Sequence, residues 1–379
     1  MKTLIVGAGP VGLAAALALK HCGVSDDITV LEAGAQNAVS FGDRNIALSS
    51  ASWRFLSRIG VSVDAAHRAP IREVEITQRG AFGLLRLDAR DVSATELGAA
   101  SPYPALKTAL DNATQAAGIQ IVYGAKVASV QHVAQHACVH LSSGEPMRAD
   151  CAVLADGAGS DLVREFKRIE RDSGQTAIIT RVSASKPRPD VAFERFTDGG
   201  ALALIPRSDG EWTVVWARPR ADAERMLQMD AKPDVTSLAE EINVAFGNTM
   251  GELTLTAKLT SYPLVWRFVE PRTSGAIAAL GNAAQGLHPV AAQGLNLGLA
   301  DAQQFAEAMA KKSHGIAATL ASFARQRGMD RVARIGFTGL LAYGFDRGGW
   351  LFDVPRGLGL TVVQMLPPLR RELTRRLAL

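Results

Sequence analysis

The chain lacks most of what marks a secreted, membrane-spanning or nucleic-acid-binding protein. Its 379 residues hold three cysteines, Cys22, Cys138 and Cys151. That odd number, without C-x-x-C spacing, excludes a disulfide framework and a cysteine zinc site and fits a reducing cytoplasm. No stretch reaches the roughly eighteen uninterrupted apolar residues that a spanning helix needs. Charge of one sign is scarce as well. The net charge is +4, and no basic block is interleaved with aromatics, which argues against a nucleic-acid partner. Metal-ligand spacing, internal repeats and low-complexity segments are missing too. What remains is the composition of a globular protein, 47% hydrophobic and 21% charged. The length suffices for two joined domains and a large core.

The first thirty-odd residues organise the rest. Leu4 to Val6 read as a short buried strand, and Val11 to Lys20 as a run of good helix formers. Between them Gly7, Gly9 and Gly12 stand at G-x-G-x-x-G spacing. Gly7 permits a tight turn, Gly9 lets backbone approach a pyrophosphate, and Gly12 lets helix close on strand. Bare N–H groups at the helix start, at the positive end of its dipole, favour phosphate. A second strand, Ile28 to Leu31, ends in Glu32, twenty residues past Gly12, where a carboxylate accepts hydrogen bonds from an adenosine ribose. The glycines and Pro10 interrupt the Ala/Leu run, so a secretory signal is rejected.

Further along, Asp43 and Arg44 precede an amphipathic helical pattern (Leu48, Trp53, Leu56, Ile59) closed by Gly60. From this stretch alone Arg44 is either a surface charge or a planar donor fork for phosphate or ribose. Residues 71–88 alternate as a hairpin, and a helix is expected after Pro104, followed by three strands. The apolar strand Ala152 to Leu154 runs into Asp156-Gly157. That is either a plain exit turn or the ligand-facing edge of a parallel sheet. Residues 175–217 read as an antiparallel sheet, then come two charged helices (222–229 and 237–246) and a returning strand.

A second constellation lies at 276–312. The apolar strand Ala276 to Leu280 ends at Gly281-Asn282, His288-Pro289 form a rigid turn, and Gln293-Gly294 open a long helix from about Leu295. Asp301 and Gln304 are expected on its wet side. Amides at that helix start suit an electron-rich ring edge. The tail joins apolar segments to Arg347, Arg356, Arg370, Arg371, Arg375 and Arg376. It either rests on an anionic membrane surface or packs on the core with a solvated basic end.

Three stretches, GAGPVG with Glu32, LADGAGSDLVR, and LGNAAQGLHPVAAQGLNLGLADA, together resemble the flavin-dependent aromatic hydroxylases of the p-hydroxybenzoate hydroxylase fold. The third stretch, with GDRNIALS and GGALALIPRSDGEWTVVW, is closest to the UbiH-type hydroxylases of ubiquinone biosynthesis. The likeness runs to about residue 345. It implies an α/β fold in which a Rossmann-like FAD-binding domain (1–70, 98–170 and 266–330) is interleaved with an antiparallel substrate domain (71–97 and 171–265), followed by a helical tail (331–379). It also implies that Gly7, Gly9 and Gly12 hold the FAD pyrophosphate, Glu32 the adenosine ribose, and Arg44 phosphate or ribose. Asp156 would help place FAD and the reductant. Asn282, where most relatives have aspartate, would touch ribityl or ribose hydroxyls. Pro289 would pack near the isoalloxazine, and Gly294, Leu295 and Asn296 would meet its pyrimidine edge. Ala292 stands where relatives usually have glycine, and SPYPALK where they more often carry Arg or Gln near the cofactor; Lys107 either substitutes for them or, the favoured reading, is a solvated lysine.

The implied activity is hydroxylation of a polyprenylated ubiquinone precursor with O₂ and reduced flavin; because only one G-x-G-x-x-G exists, NADPH or NADH either binds transiently as reductant or is replaced by another electron donor. Two alternatives stay open. One is a flavoenzyme acting on a small soluble aromatic or reducing isoprenoid double bonds. The other is a non-catalytic FAD-binding member of a quinone-biosynthesis assembly. The implied surroundings are the cytoplasm or the inner face of the membrane, in a biosynthetic complex or a homo-oligomer.

Overall fold

The computed structural model describes residues 1–36, 42, 44–158, 160–164, 166–230, 236–286, 293–311, 315–328 and 350–378. The segment KTLIV forms strand Lys2–Val6, buried on both faces, as an unbroken apolar run in a parallel sheet must be. It lies in the middle of a six-stranded sheet, between Cys151–Leu154 and Asp27–Glu32, parallel to both. Gln120–Tyr123 extends one side and Ile277–Ala279 the other, again parallel; a two-residue strand, Thr273–Ser274, closes the edge antiparallel. The carboxyl ends of four central strands, at Val6, Glu32, Leu154 and Ala279, therefore come to one edge. That is where such sheets bind ligands.

Helix Pro10–His21 is buried along almost its whole length, from Pro10 to Leu19. Its alanines let it lie close against the sheet and against helices Tyr103–Ala116 and Gln293–Ala310. Gly12 is the contact that sets this approach: a Cβ there would come 2.0 Å from the Gly7 carbonyl oxygen. A three-stranded meander (Val127–Val133, His136–Leu141, Met147–Ala149) covers another face.

The second large sheet has nine strands. Its spine is the 18-residue strand Lys167–Ala184, which pairs antiparallel with Trp212–Pro219 and with Thr260–Glu270. The sheet begins about eight residues before alternation is evident in the sequence, because charged residues occupy both faces from Lys167 to Asp172. It is not wholly antiparallel. Strand Val191–Thr197 runs parallel to Glu73–Gln78, since the 73–88 hairpin is delivered from the other part of the chain and not by a local turn. The returning segment is likewise two strands, Leu253–Leu255 and Thr260–Glu270, both paired with the spine. Helices Arg220–Asp230 and Thr236–Phe246 cover one face of this sheet and close a core around Trp212, Trp216 and Met226.

Helices Trp350–Met365 and Pro367–Ala378 seat on the hairpin strand Leu84–Asp88 and the turn that follows it. Leu360, Leu373 and Ala378 pack with Leu85 and Leu87. Arg370 grips Asp91 with two hydrogen bonds of 2.9 Å. Gly357 makes the closest approach: a Cβ would come 2.4 Å from the Phe82 carbonyl. One face of the tail is therefore packed on the protein. The other is not.

Asp301 is not on a wet side. It is fully buried, its two carboxylate oxygens held by Arg327 at 2.6 Å and Arg272 at 2.8 Å, and it also accepts from the Gly281 amide at 3.1 Å. Helical periodicity placed it outward because nothing in it reveals that helix 316–328 and the chain near Arg272 close over that side. Gln304 is half-buried.

Candidate active site

A cavity of about 1080 Å³ runs along the carboxyl edge of the parallel sheet, at the upper end of small-molecule sites, roughly 300–1,000 Å³. Its walls include Gly7 and Gly9 from the first turn, Glu32 from the second strand, and Arg44. Asp156, Asn282, Gly294 and Leu295 complete the lining among the expected residues. Two turns more than 280 residues apart in the chain thus open onto one continuous trough.

The three glycines do different work. Gly7 has φ +103°, a conformation that side chains rarely adopt, and its missing Cβ would lie 2.5 Å from the Ala155 carbonyl oxygen. Gly9 is the reverse case. It adopts ordinary extended backbone (φ −71°, ψ 172°), and a Cβ there would meet no protein atom within 4 Å. The hollow at Gly9 is therefore not explained by the packing of the protein. Gly9 offers the helix no side-chain cap and Pro10 has no N–H, so the amides of Val11 and Gly12 at the positive dipole end lack intrahelical acceptors.

Glu32 accepts from the Ala8 amide at 2.8 Å and from the Gly34 amide at 2.9 Å. These bonds hold its carboxylate at the trough wall and leave lone pairs for two hydroxyls. Arg44 is exposed to the trough and makes no ion pair among the described residues, while its carbonyl accepts from the Tyr103 amide at 2.7 Å. Asp156 is exposed to the trough at the end of the buried strand Cys151–Leu154. Burial pushes its carboxyl above the usual carboxylate range, and the Ser160 hydroxyl and Arg168 only partly offset this.

Asn296 does not line the trough. Its side chain pins neighbouring elements: the amide oxygen accepts from the Ser49 amide at 2.9 Å and the Ser52 hydroxyl at 2.7 Å, and the amide nitrogen donates to the Ala47 carbonyl at 3.1 Å. Asp43, His288, Pro289 and Ala292 lie outside the described residues.

Helix Tyr103–Ala116 adds residues that were not expected. Tyr103, Lys107 and Asp111, at successive four-residue steps, all face the trough with Thr108. Lys107 is not a solvated lysine; it is paired with Asp111, its side chain only 19% exposed. Burial drives the Tyr103 phenol up to about 12, against the pull of Arg44. The i, i+4, i+8 spacing was visible in the sequence, but which face of that helix meets the cavity was not.

The arrangement offers amides to a diphosphate, a fixed carboxylate to a ribose, and a long slot ending at a second helix start. These features fit a dinucleotide that carries a ring system at its far end. The chain is 28% identical to the 3-demethoxyubiquinol 3-hydroxylase of Escherichia coli, over 97% of this chain and 96% of that one. It is 27% identical to the ubiquinone hydroxylase UbiL of Rhodospirillum rubrum, over 97% and 87%. Among solved structures it shares the fold of pqsL, a probable FAD-dependent monooxygenase from Pseudomonas aeruginosa, with TM-score 0.77 and 19% identity over 96% and 99% of the two chains. A family model described as an FAD binding domain matches residues 1–328, and the chain belongs to that family, with FAD as its cofactor.

Proposed function

We propose that this chain hydroxylates the aromatic ring of a polyprenylated ubiquinone precursor, taking electrons from NADPH or NADH. It is a flavin-dependent monooxygenase. The observation that carries the reading is the single trough joining Glu32 to Gly294, in a chain similar along nearly its whole length to a ubiquinone hydroxylase and a 3-demethoxyubiquinol 3-hydroxylase. Bound FAD supplies the redox chemistry: with one reductant and one O₂, one oxygen atom enters the ring and the other leaves as water.

The residues of the chain bind, orient and exclude. Gly7, Gly9 and Gly12, with the amides of the first helix turn, receive the pyrophosphate, and Arg44 adds positive charge for phosphate or ribose. Glu32 takes the adenosine ribose. Asp156 and Asn282 line the middle of the trough where ribityl hydroxyls would lie. Gly294 and Leu295 face the pyrimidine edge, and Asn296 orients that helix start by tying it to residues 47–52. Residues 1–70, 98–170 and 266–330 form the cofactor-binding part, and the nine-stranded sheet contributes the surface facing substrate.

The test is aerobic turnover of the purified yellow protein with NADPH and a prenylated phenol, with the product read by mass spectrometry. Substrate-stimulated NADPH oxidation and a product heavier by one oxygen support the proposal. Bound FAD with turnover of only small soluble phenols, or product gaining two hydrogens in its prenyl chain, replaces it with the alternative chemistry. FAD with no product from any donor leaves a non-catalytic member of an assembly.

A further inference from the structure

From residue 354 to 369, every exposed position is Val, Pro, Leu, Gly or Met. Val354, Leu358, Val362 and Met365 recur at helical spacing on the outer face of helix Trp350–Met365, and Leu366 and Leu369 continue the face into the next helix. Met365 is 75% exposed and the other five lie between 43% and 52%. These sixteen residues hold six of the twelve large exposed apolar side chains among the described residues. Phe82 and Leu84, also exposed, stand on the hairpin against which Gly357 packs. A contiguous patch of this kind marks a contact surface.

Its chemistry separates the candidate occupants. A protein interface carries a hydrogen-bonding rim and scattered polar contacts, and the exposed positions between 354 and 369 offer no polar side chain. What borders it is cationic. Residues 350–379 hold five arginines against two acids, a net +3 in a chain of +4 overall. Arg371 makes no ion pair among the described residues, and Arg375 and Arg376 share the single carboxylate of Glu372. No helix among the described residues is long and apolar enough to cross a membrane. An apolar helix face with an arginine-bearing end, too short to span, is the pattern of an element lying in the plane of an anionic bilayer.

We infer that the outer face of residues 354–369, with Arg371, Arg375 and Arg376 at its border, seats the protein on an anionic lipid surface. The inference deepens the proposed function and rests on it only for its purpose. The patch rides on strand Leu84–Asp88, whose partner Glu73–Gln78 joins the nine-stranded sheet, so docking there brings the substrate-facing sheet to the bilayer in which a prenylated ring dissolves.

The test is flotation of the full-length holoenzyme with vesicles of phosphatidylcholine alone or mixed with phosphatidylglycerol. The wild type should float with the anionic vesicles and do so less as salt rises. Leu358→Ser/Val362→Ser/Met365→Ser changes only exposed positions and should keep its FAD and melting temperature, yet lose binding at least tenfold. Arg371→Gln/Arg375→Gln/Arg376→Gln should lose the preference for anionic lipid, roughly fivefold per arginine. Wild type that stays unbound on anionic vesicles at low salt overturns the inference. So does a wild-type dimer that the apolar triple variant converts to monomer without any vesicle binding, because the face then serves a second copy. Vesicle binding without turnover of any prenylated phenol leaves this surface standing and sinks the proposed function; turnover in detergent without vesicle binding does the opposite.

Discussion

Gly9→Val separates the cofactor from the fold. Gly9 has backbone angles that valine adopts without strain, and its Cβ direction is free of protein atoms within 4 Å. Replacing a glycine stiffens the unfolded chain, worth about 0.4–1 kcal/mol, and loses a favourable N-cap residue at about the same cost. The FAD-free variant should therefore melt within a few degrees of the FAD-free wild type. The isopropyl group, however, occupies the space at the helix start where the pyrophosphate meets bare amides. Losing two charge-assisted hydrogen bonds at roughly 1.5–3 kcal/mol each gives about 3–6 kcal/mol, or roughly 10²–10⁴-fold in Kd. Fluorescence titration of the FAD-free protein measures this directly. Excess FAD at ~1,000 times the wild-type Kd should stabilise the wild type by about 4 kcal/mol and the variant by about 1.4 kcal/mol or less, with Tm shifts in proportion. Gly12→Val is the control in the other direction: its Cβ would sit 2.0 Å from the Gly7 oxygen, and it should fail to fold with or without cofactor. A Gly9→Val protein that purifies with stoichiometric flavin, or that fails to fold, refutes the reasoning.

Asp301→Asn leaves Arg272 and Arg327 buried without their shared counter-charge. The expected loss is about 3–5 kcal/mol, read as a lower denaturation midpoint; an unchanged midpoint would show that the cluster contributes nothing. Asp156→Asn tests a sign. The folded-state pKa of Asp156 is raised, so ionising it costs stability once pH rises above the ordinary carboxylate range. The FAD-free Asn variant should thus be the more stable protein at neutral pH, with the gap closing as pH falls through that range, while its FAD affinity weakens. Thermal melts across pH that show the gap widening toward acid would reverse the assignment. Arg370→Ala removes the two-bond grip on Asp91 and should speed proteolysis near residue 350 without changing FAD content; equal cleavage rates would mean that apolar packing alone holds the tail.

The nucleotide half of the site was legible because local chemistry dictates it. A strand, three glycines with distinct tasks, a helix start and an acid follow one another within 32 residues, and each link is short-range. The second helix start was legible for the same reason. What the sequence concealed depends on distant partners. Asp301 looked outward because the arginines that bury it are separated from it by 29 and 26 residues. Lys107 looked solvated because a four-residue step to Asp111 does not reveal a cavity. Asn296 looked like a ring contact, yet its side chain ties a helix to a strand nearly 250 residues away. The parallel pairing of 191–197 with 73–78 was equally invisible, since alternation fixes which face is dry and not which neighbour runs beside it.

The central claim is that one FAD lies along the trough, its adenosine end at Glu32 and its ring at Gly294. A crystal structure of the yellow holoenzyme measures this most directly. The account predicts continuous density with the ribose hydroxyls on the Glu32 carboxylate, the pyrophosphate over Gly9 and the ring edge at the amides of Gly294 and Leu295. Flavin density whose ring lies away from residue 294, or whose phosphates lie away from residue 9, would contradict it.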